Sequence, residues 1–578
     1  MNFNLSEVPF SRRGSYLAIS RLADHSNKVS SKKLCLRTIH GLSYIPGRKR
    51  EIEKSTVFQM IPLYNGNAVA YSTQAEPYEL QLKTNFGTIS ICYADNDTVL
   101  FRGEGKGLGL RLIFENNAYI YEAFADHKEI YCTCAALGCR FRTSALSGKM
   151  EFSQSWNGAN AESCFVDISS DQTCFLAAFQ NMAVERQQPF SQYDYVFCKE
   201  QVKKDFEDFL TKMPSVPSQY SQERELAAYV IWASIVQPSG IITREAMLMS
   251  KNWMCNVWSW DHCFNAIALS YHHPDLAWDQ FMLMFDFQDE TGVIPDCIND
   301  VYASYAFVKP PIHGWALSKI MKNMELSQEQ LKEAYVKLSA WTNWWLKYRD
   351  HDQDGLCEYF HGNDSGWDNS TAFISSPAVE LPDLAAFLII QMKVLGTLCQ
   401  KLGDQAQALT WNQKADSMLN TMLSCCFKDG KPIARTAYTH QTVSNDSLIL
   451  YLPVILGDLL PENILNGLIK VLKSSRFYTD YGFATESPQS QFYQSDGYWR
   501  GPIWAPSSMI IIDGLDRSNE KRLAFEAARR FAEIISKSGF AENFDALTGE
   551  GLRDRAYTWT ASTFLILAHE YLTEYQSD

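Results

Sequence analysis

"KKDFEDFLTKMPSVPSQYSQ", residues 203–222, divides the chain. Its first eleven residues read as a helical linker, and the two prolines that follow break it. Upstream, residues 1 to about 200 hold short segments rich in β-branched and aromatic residues, such as "GTISICYADNDTVLFRG", "KEIYCTCAAL" and "CFVDISS". Turn signals such as "NGN" and "DND" separate them, and that spacing predicts a β-sandwich. Downstream, apolar residues recur at helical spacing in windows near 222–236, 258–271, 275–288, 313–324, 327–349, 379–402, 405–427, 444–456, 461–473, 502–514, 518–538 and 557–575. No short fixed repeat links them, so a simple solenoid is excluded. Twelve helices after a β region predict a mainly α fold. The expected organisation is a β-sandwich accessory domain over 1–200, a helical linker over 201–224, and an (α/α)6 barrel of six inner and six outer helices over 225–578.

At 578 residues the chain is too long for one ordinary domain. Its formal net charge of −14 argues against nucleic-acid and anionic-membrane partners, and the longest basic run is "GRKR" at 47–50. The N-terminus lacks an apolar core of signal-peptide length. "SLILYLPVILGDLL", 447–460, is shorter than a membrane span and holds an Asp and a Pro. Fifteen cysteines fit a reducing compartment, so a cytoplasmic protein is expected. Cys132, Cys134 and Cys139 lack the second pair that a zinc site needs and read as core residues. "GEGKGLG", 103–109, lacks the Lys-Ser/Thr ending of a phosphate loop and reads as a turn between strands.

The chemistry-bearing residues sit in long loops and at helix starts. "NVWSWDHCFNAIAL" supplies Trp258, Trp260 and Asp261, "FDFQDETGVIPD" supplies Gln288, and "VKPPIHGWAL" supplies His313 and Trp315. "GNDSGWDNS", 362–370, mixes Asp364 and Asp368 with Trp367 and Asn369. "SDGYWRGPIWAPS" brings Tyr498, Trp499, Arg500 and Trp504, "GFAENFDALTGEG" brings Glu542, and "DRAYTWTAS" brings Tyr557 and Trp559. If alternate helices run the same way, these loops gather at one end as a cleft of indoles, acids, amides and a guanidinium. Such a lining suits carbohydrate, because indoles cover ring faces and polar groups hold hydroxyls. Cleavage of a glycosidic bond needs a protonated acid at the leaving oxygen and a second carboxylate as nucleophile or base.

Four blocks, "WSWDHCF", "DSGWDNS", "YWRGPIW" and "AENFDALTGEG", occur in the order seen in glycoside hydrolase family 63, and over about 225–578 the chain resembles that family. It is similar to the processing α-glucosidases and to the mannosylglycerate and glucosylglycerate hydrolases, and more distantly to the trehalases. The resemblance implies an inverting enzyme with Asp368 as general acid and Glu542 as general base. Their carboxyl groups would then stand roughly 6.5–9.5 Å apart. It implies that Asp261 holds sugar hydroxyls and that Trp499 and Arg500 line the same subsite. Each assignment has a structural rival: Asp368 or Asp261 as a helix cap, Glu542 as a turn carboxylate, the tryptophans and His313 as core. Asp364 reads as a loop-shaping residue.

Upstream, "RDHDQDGLCEYFH" has Asp350, Asp352 and Asp354 before Gly355, the first half of a calcium loop. The twelfth position is His361 and not the bidentate Glu, so a structural calcium and a plain acidic turn both stand. No cofactor is required by the chemistry. The expected function is exo-acting hydrolysis of a small α-linked glycoside, with an α-glucoside as the leading substrate and water as co-substrate. An inverting phosphorylase or epimerase on the same barrel, and an inactive sugar-binding protein, remain as rivals. Oligomeric state is not readable from the chain.

Overall fold

The computed structural model describes residues 1–21, 33–41, 55–115, 118–122, 129–182, 193–252 and 254–573; the basic run at 47–50 lies outside them. The described strands up to residue 182 form two antiparallel sheets. One takes Leu17–Ser20, Cys35–Thr38, Thr56–Tyr64, Leu108–Phe114, Ala161–Ser169 and Lys149–Trp156 in that spatial order, with Asn67–Ala68 paired to Thr56–Tyr64. The other takes Ala118–Glu122, Glu129–Cys134, Cys139–Ser147, Cys174–Asn181, Thr98–Glu104, Gly87–Tyr93, Glu79–Thr84 and Ser72–Glu76. Alternation sets the faces: in Glu79–Thr84, Leu80 and Leu82 are buried while Gln81 and Lys83 point outward. Phe58 of the first sheet meets Phe101 and Phe179 of the second, at 6.3 and 4.8 Å between centroids. The "GEGKGLG" turn carries the chain from one sheet to the other.

Helix α1, Tyr195–Thr211, starts earlier than the predicted linker, capped by Asp194, whose carboxylate accepts the Phe197 amide at 2.7 Å. Its Tyr195 and Cys198 pack on the eight-stranded sheet, and its Phe206 packs on Tyr229 and Trp232 of α2, Ser221–Ser234. Arg224 closes the proline-broken connection by donating to the carbonyls of Leu210, Met213 and Pro214. The β region also holds the helical half directly. Buried Arg37 donates to the carbonyls of Lys251 and Asn252, at 3.2 and 3.0 Å.

The later helices are α3 (Asp261–Leu269), α4 (Pro274–Met282), α5 (His313–Asn323), α6 (Gln328–Tyr348), α7 (Pro382–Lys401), α8 (Gln405–Cys425), α9 (Glu462–Leu472), α10 (Ala505–Arg517), α11 (Lys521–Ser538) and α12 (Thr558–Leu567), with a 3-10 segment, Leu448–Leu459, before α9. α3, α5, α7, the 3-10 segment, α10 and α12 touch in a closed cycle, each against the next and the last against the first. α2, α4, α6, α8, α9 and α11 pack behind them. This division follows from apolarity. Every residue of α3 and α12 is buried, whereas α11 buries one stripe, including Ala524, Ala527, Ala528, Phe531 and Ile535. α7 is long and apolar enough to cross a membrane by composition, and 89% of its apolar window is enclosed by these neighbours.

Among the boundaries that differ from the sequence reading, three have identifiable reasons. Window 379–402 opens with a strand, Val379–Glu380, and its helix begins at Pro382, a residue suited to a first turn. Window 444–456 is a 3-10 element because Pro453 withholds an amide from its interior and Gly457 turns to φ 56°. Window 557–575 is α only to Leu567 and continues as a π-helix over Ala568–Thr573.

The C-terminal end of the cycle is tied by charge. Lys319 of α5 lies 3.2 Å from Asp513 of α10 and 2.9 Å from Glu570 after α12. The Trp315 indole and Arg517 also donate to Asp513, both at 2.8 Å. Removing one partner of a buried pair leaves the other charge uncompensated. Asp513→Ala should therefore lower unfolding free energy by about 3–5 kcal/mol, read from the shift of the urea midpoint; a loss below about 1 kcal/mol would contradict this role.

Candidate active site

The opposite end of the cycle, where the ring helices begin, opens into a cavity. It is lined by Met254, Trp258, Trp260, Asp261, Asp296, Lys309, Asn363, Gly366, Asp368, Tyr498, Trp499, Tyr557 and Trp559. All lie on a segment that leads into α3, α5, α7, α10 or α12, or in the first turn of one of these helices. Asp261 is the first residue of α3, and the residue before it, Trp260, makes no side-chain cap.

Asp364 shapes the loop that carries Asp368. Buried, it pairs with Arg349 at 2.7 Å and accepts amides from Phe360 at 3.0 Å and Val308 at 3.1 Å. The same carboxylate thus fixes the loop of Asp368 and the extended segment that carries Lys309. Gly366 turns the loop at φ 74°, and a Cβ there would lie 2.5 Å from the Trp260 indole. The chain then presents Asp368 to the cavity, where 34% of its side chain stays accessible.

Among the described residues, Lys309 is the one cation lining this cavity. Its ammonium is 3.2 Å from Asp296 and 4.0 Å from Asp368, and it donates to the Asn363 carbonyl at 2.7 Å. Asp261 adds a third carboxylate to its field. Burial opposes its charge, but the pull of Asp296, Asp368 and Asp261 outweighs that and raises its pKa. Burial raises all three carboxyl groups, Asp261 well above the usual carboxylate range. At Asp368 the surrounding protein acts first and upward although part of the side chain sees the cavity; Lys309 counters it and Asp296 reinforces it. Asp368 therefore holds its proton to higher pH than a free aspartate, as a proton donor requires.

Indoles wall the site. Trp499 and Trp504 stack at 4.0 Å and 6°, and Trp367 lies 4.8 Å from Trp499. Trp559 meets Trp260 and Trp504 edge to face, at 5.8 and 5.5 Å. The buried Nε1 of Trp559 has no hydrogen-bond partner among the described residues, which leaves a donor at the cavity. Trp504 donates its Nε1 to the Tyr498 carbonyl at 2.8 Å and backs the wall.

Eight residues singled out in the sequence thus meet at the cavity: Trp258, Trp260, Asp261, Asp368, Tyr498, Trp499, Tyr557 and Trp559. Others take different places. Asn369 accepts the Trp499 amide at 2.9 Å and donates to the Gly497 carbonyl at 3.0 Å, while Arg500 donates to the Asn369 carbonyl at 2.6 Å. These two stitch the acidic loop to the "YWRGPIW" block. Trp367 and Trp504 stand behind the lining. Gln288 donates to the carbonyls of Gly292 and Lys337, at 2.8 and 3.0 Å, and locks a turn away from the cavity. His313 is buried against His262, Phe285 and Trp341, and desolvation keeps its imidazole pKa well below the usual value.

Glu542 is 1% exposed, its amide bonded to the Asp554 carbonyl at 2.7 Å. Its charge acts on the Tyr557 hydroxyl, as does that of Asp261, which sets it behind the Tyr557 side of the cavity. Asp296, Lys309, Met254, Asn363 and Gly366 are lining residues that the sequence did not assign. Asp296 and Lys309 stood inside quoted blocks, but an Asp after a Pro and a Lys before two Pro have the look of ordinary turns.

Of the three calcium-loop aspartates, Asp352 and Asp354 lie together with Glu380 and His440, while Asp350 turns to the backbone. Asp350 accepts the Gly355 amide at 3.2 Å, Asp352 faces His440 at 2.8 Å, and Asp354 pairs with Arg435. The three cysteines at 132, 134 and 139 are buried and fall in none of the groupings compact enough for a metal among the described residues.

Residues 254–560 match the family described as the mannosylglycerate hydrolase MGH1-like glycoside hydrolase domain. A glucosylglycerate hydrolase of Mycolicibacterium hassiacum is 23% identical over 452 residues, covering 61% of this chain and 99% of that protein. The crystal structure of a family 63 mannosylglycerate hydrolase from Thermus thermophilus superposes with a TM-score of 0.53 at 17% identity, over 59% of this chain and 98% of that one. A bacterial glucoamylase bound to acarbose superposes with a TM-score of 0.59 at 11% identity, over 99% of this chain and 95% of that one, so that likeness extends through the N-terminal sheets.

Gly366→Ala should move Asp368 and lower stability by about 1–2 kcal/mol, since a left-handed turn and a close indole both oppose the methyl. Thermal unfolding with near-UV circular dichroism of the indole cluster checks this; an unchanged spectrum and melting temperature would mean the turn tolerates a side chain.

Proposed function

This chain belongs to the MGH1-like glycoside hydrolase family, and we propose that it is an inverting, exo-acting hydrolase of a small α-linked glycoside. The placement of Asp368 carries the reading: a carboxyl group open to an indole-walled cavity, with its pKa raised by burial. Asp368 donates that proton to the departing oxygen. Glu542 takes a proton from the water that attacks the far face of the sugar, which inverts the anomeric carbon. Asp261 and the Trp559 indole hold ring hydroxyls, Trp499 covers a ring face, and Lys309 keeps Asp261 and Asp296 compensated while the acid stays protonated. The closed cycle of six helices with helices packed behind it supports an (α/α)6 barrel as the scaffold. An α-glucoside is the leading substrate: a disaccharide, a short oligosaccharide, or glucose on a small acid such as glycerate. The glucosylglycerate hydrolase among the relatives supports the last. Fifteen free cysteines, most of them buried, support action in the cytoplasm.

Proton NMR of the anomeric signal during hydrolysis of α-linked disaccharides and α-glucosylglycerate tests this. The β-anomer should appear first, and Asp368→Asn and Glu542→Gln should each lower turnover by roughly a hundred- to ten-thousand-fold. First release of the α-anomer would overturn the inverting mechanism.

The charge cluster adds a pH prediction. The alkaline limb of kcat/KM reports loss of the Asp368 proton, and its pKa is already raised. Asp296→Asn removes a neighbouring negative charge, so that limb should move to lower pH. Lys309→Gln removes the opposing cation, so it should move to higher pH. A limb that stays in place in both variants would assign it to another group.

A further inference from the structure

The acid of a glycosidase faces the departing oxygen, so the group that leaves sits on the Asp368 side of the cavity. Two rings stand there that the reaction proposed above does not use. Phe307 and His361 lie 5.2 Å apart between centroids, tilted by 32°. Gly362, the residue after His361, packs so closely on the Asp368 backbone that a Cβ would strike the Asp368 carbonyl. Phe307 is two residues from Lys309, whose ammonium is 4.0 Å from the Asp368 carboxyl group.

The fold holds this pair in place. Asp364 accepts the amide of Val308 at 3.1 Å and that of Phe360 at 3.0 Å, so one buried carboxylate clamps the chain neighbour of each ring. His361 Nδ1 accepts the Asn363 amide at 3.0 Å, which puts the hydrogen of the neutral imidazole on Nε2. Phe307 is half-buried and packs against neither apolar core of the described residues. Core packing therefore does not account for its ring. Clamped and partly open, it is a flat apolar face beside a hydrogen-bond donor.

We propose that Phe307 and His361 form the subsite for the leaving group and that this subsite takes a pyranose ring, so the substrate is an α-linked disaccharide or the end of a longer oligosaccharide. The inference rests on the hydrolase reading above and narrows it. A pyranose offers the C–H groups of its face to the Phe307 ring and the hydroxyls of its edge to the His361 Nε2 hydrogen. Glycerate has no such face. Its carboxylate would instead enter a site where Asp261, Asp296 and Asp368 already share Lys309, the one cation among the described lining residues. Like charges brought together in this way oppose binding.

The test compares kcat/KM of the full chain on α-linked glucose disaccharides, α-glucosylglycerate and α-glucosyl fluoride, which carries no leaving ring. At least one disaccharide should be preferred to glucosylglycerate. Phe307→Leu keeps the bulk and loses the flat face; it should lower the disaccharide-to-fluoride ratio about tenfold, through KM, and Phe307→Tyr should restore it. His361→Asn keeps an acceptor for the Asn363 amide and removes the Nε2 donor, and should lower the ratio roughly three- to tenfold. Calorimetry in the Asp368→Asn background measures the same contrast as binding of disaccharide relative to glucose. Glucosylglycerate preferred to every disaccharide, or ratios that Phe307→Leu leaves in place, would overturn the subsite and leave the hydrolase reading standing. No turnover of any substrate, with disaccharide binding still dependent on Phe307, would overturn the hydrolase reading and support the subsite.

Discussion

One ammonium group, that of Lys309, stands against three carboxylates where the ring helices begin. The nearest of these carboxylates, Asp296, is 3.2 Å away. Without it, Asp261 and Asp296 would be negative charges in a buried site, each costing several kcal/mol. With it, the cavity holds three carboxyl groups whose burial raises every one. The site depends on that balance: one positive charge holds the acids in place, while burial still raises the pKa of Asp368.

The loops around the cluster serve the same balance. Asp364 secures Val308, and so the approach of Lys309, with the same carboxylate that shapes the loop of Asp368. Asn369 and Arg500 then bind that loop to the segment carrying Tyr498 and Trp499. The far end of the cycle has its own buried cluster, Lys319 with Asp513 and Glu570. The cavity sits where the ring helices start, and a structural charge network closes the end where they finish. The N-terminal sheets join in through Arg37, which holds the segment just before Met254.

Much of this was legible in the chain because periodicity is a local signal. Eleven of the twelve helical windows contain an α-helix, and inner helices such as α7 and α12 are apolar nearly all round. Elements set by distant pairing escaped it. The two-residue strands at Glu358–Tyr359 and Val379–Glu380 exist because they pair with each other and with Ala434–Thr436. The site divides the same way. Trp260, Asp261, Asp368 and Trp499 stand out by residue type in unusual loops. Lys309 and Asp296 acquire meaning only from proximity, thirteen positions apart in sequence and 3.2 Å apart in space. Asn369 and Arg500 look like sugar contacts by type, and the structure also bonds the Asn369 amide and the Arg500 Nε to the backbone of the neighbouring loop.

The central claim is that Asp368 supplies the proton that the leaving oxygen needs. Comparing Asp368→Ala on an α-glucosyl fluoride and on an O-linked α-glucoside tests it most directly, because fluoride departs without strong help from an acid. The variant should lose roughly a hundred- to ten-thousand-fold in kcat/KM on the O-glycoside and stay within about tenfold of the parent on the fluoride. Equal losses on both substrates, or none on either, would contradict the assignment of Asp368 as the acid.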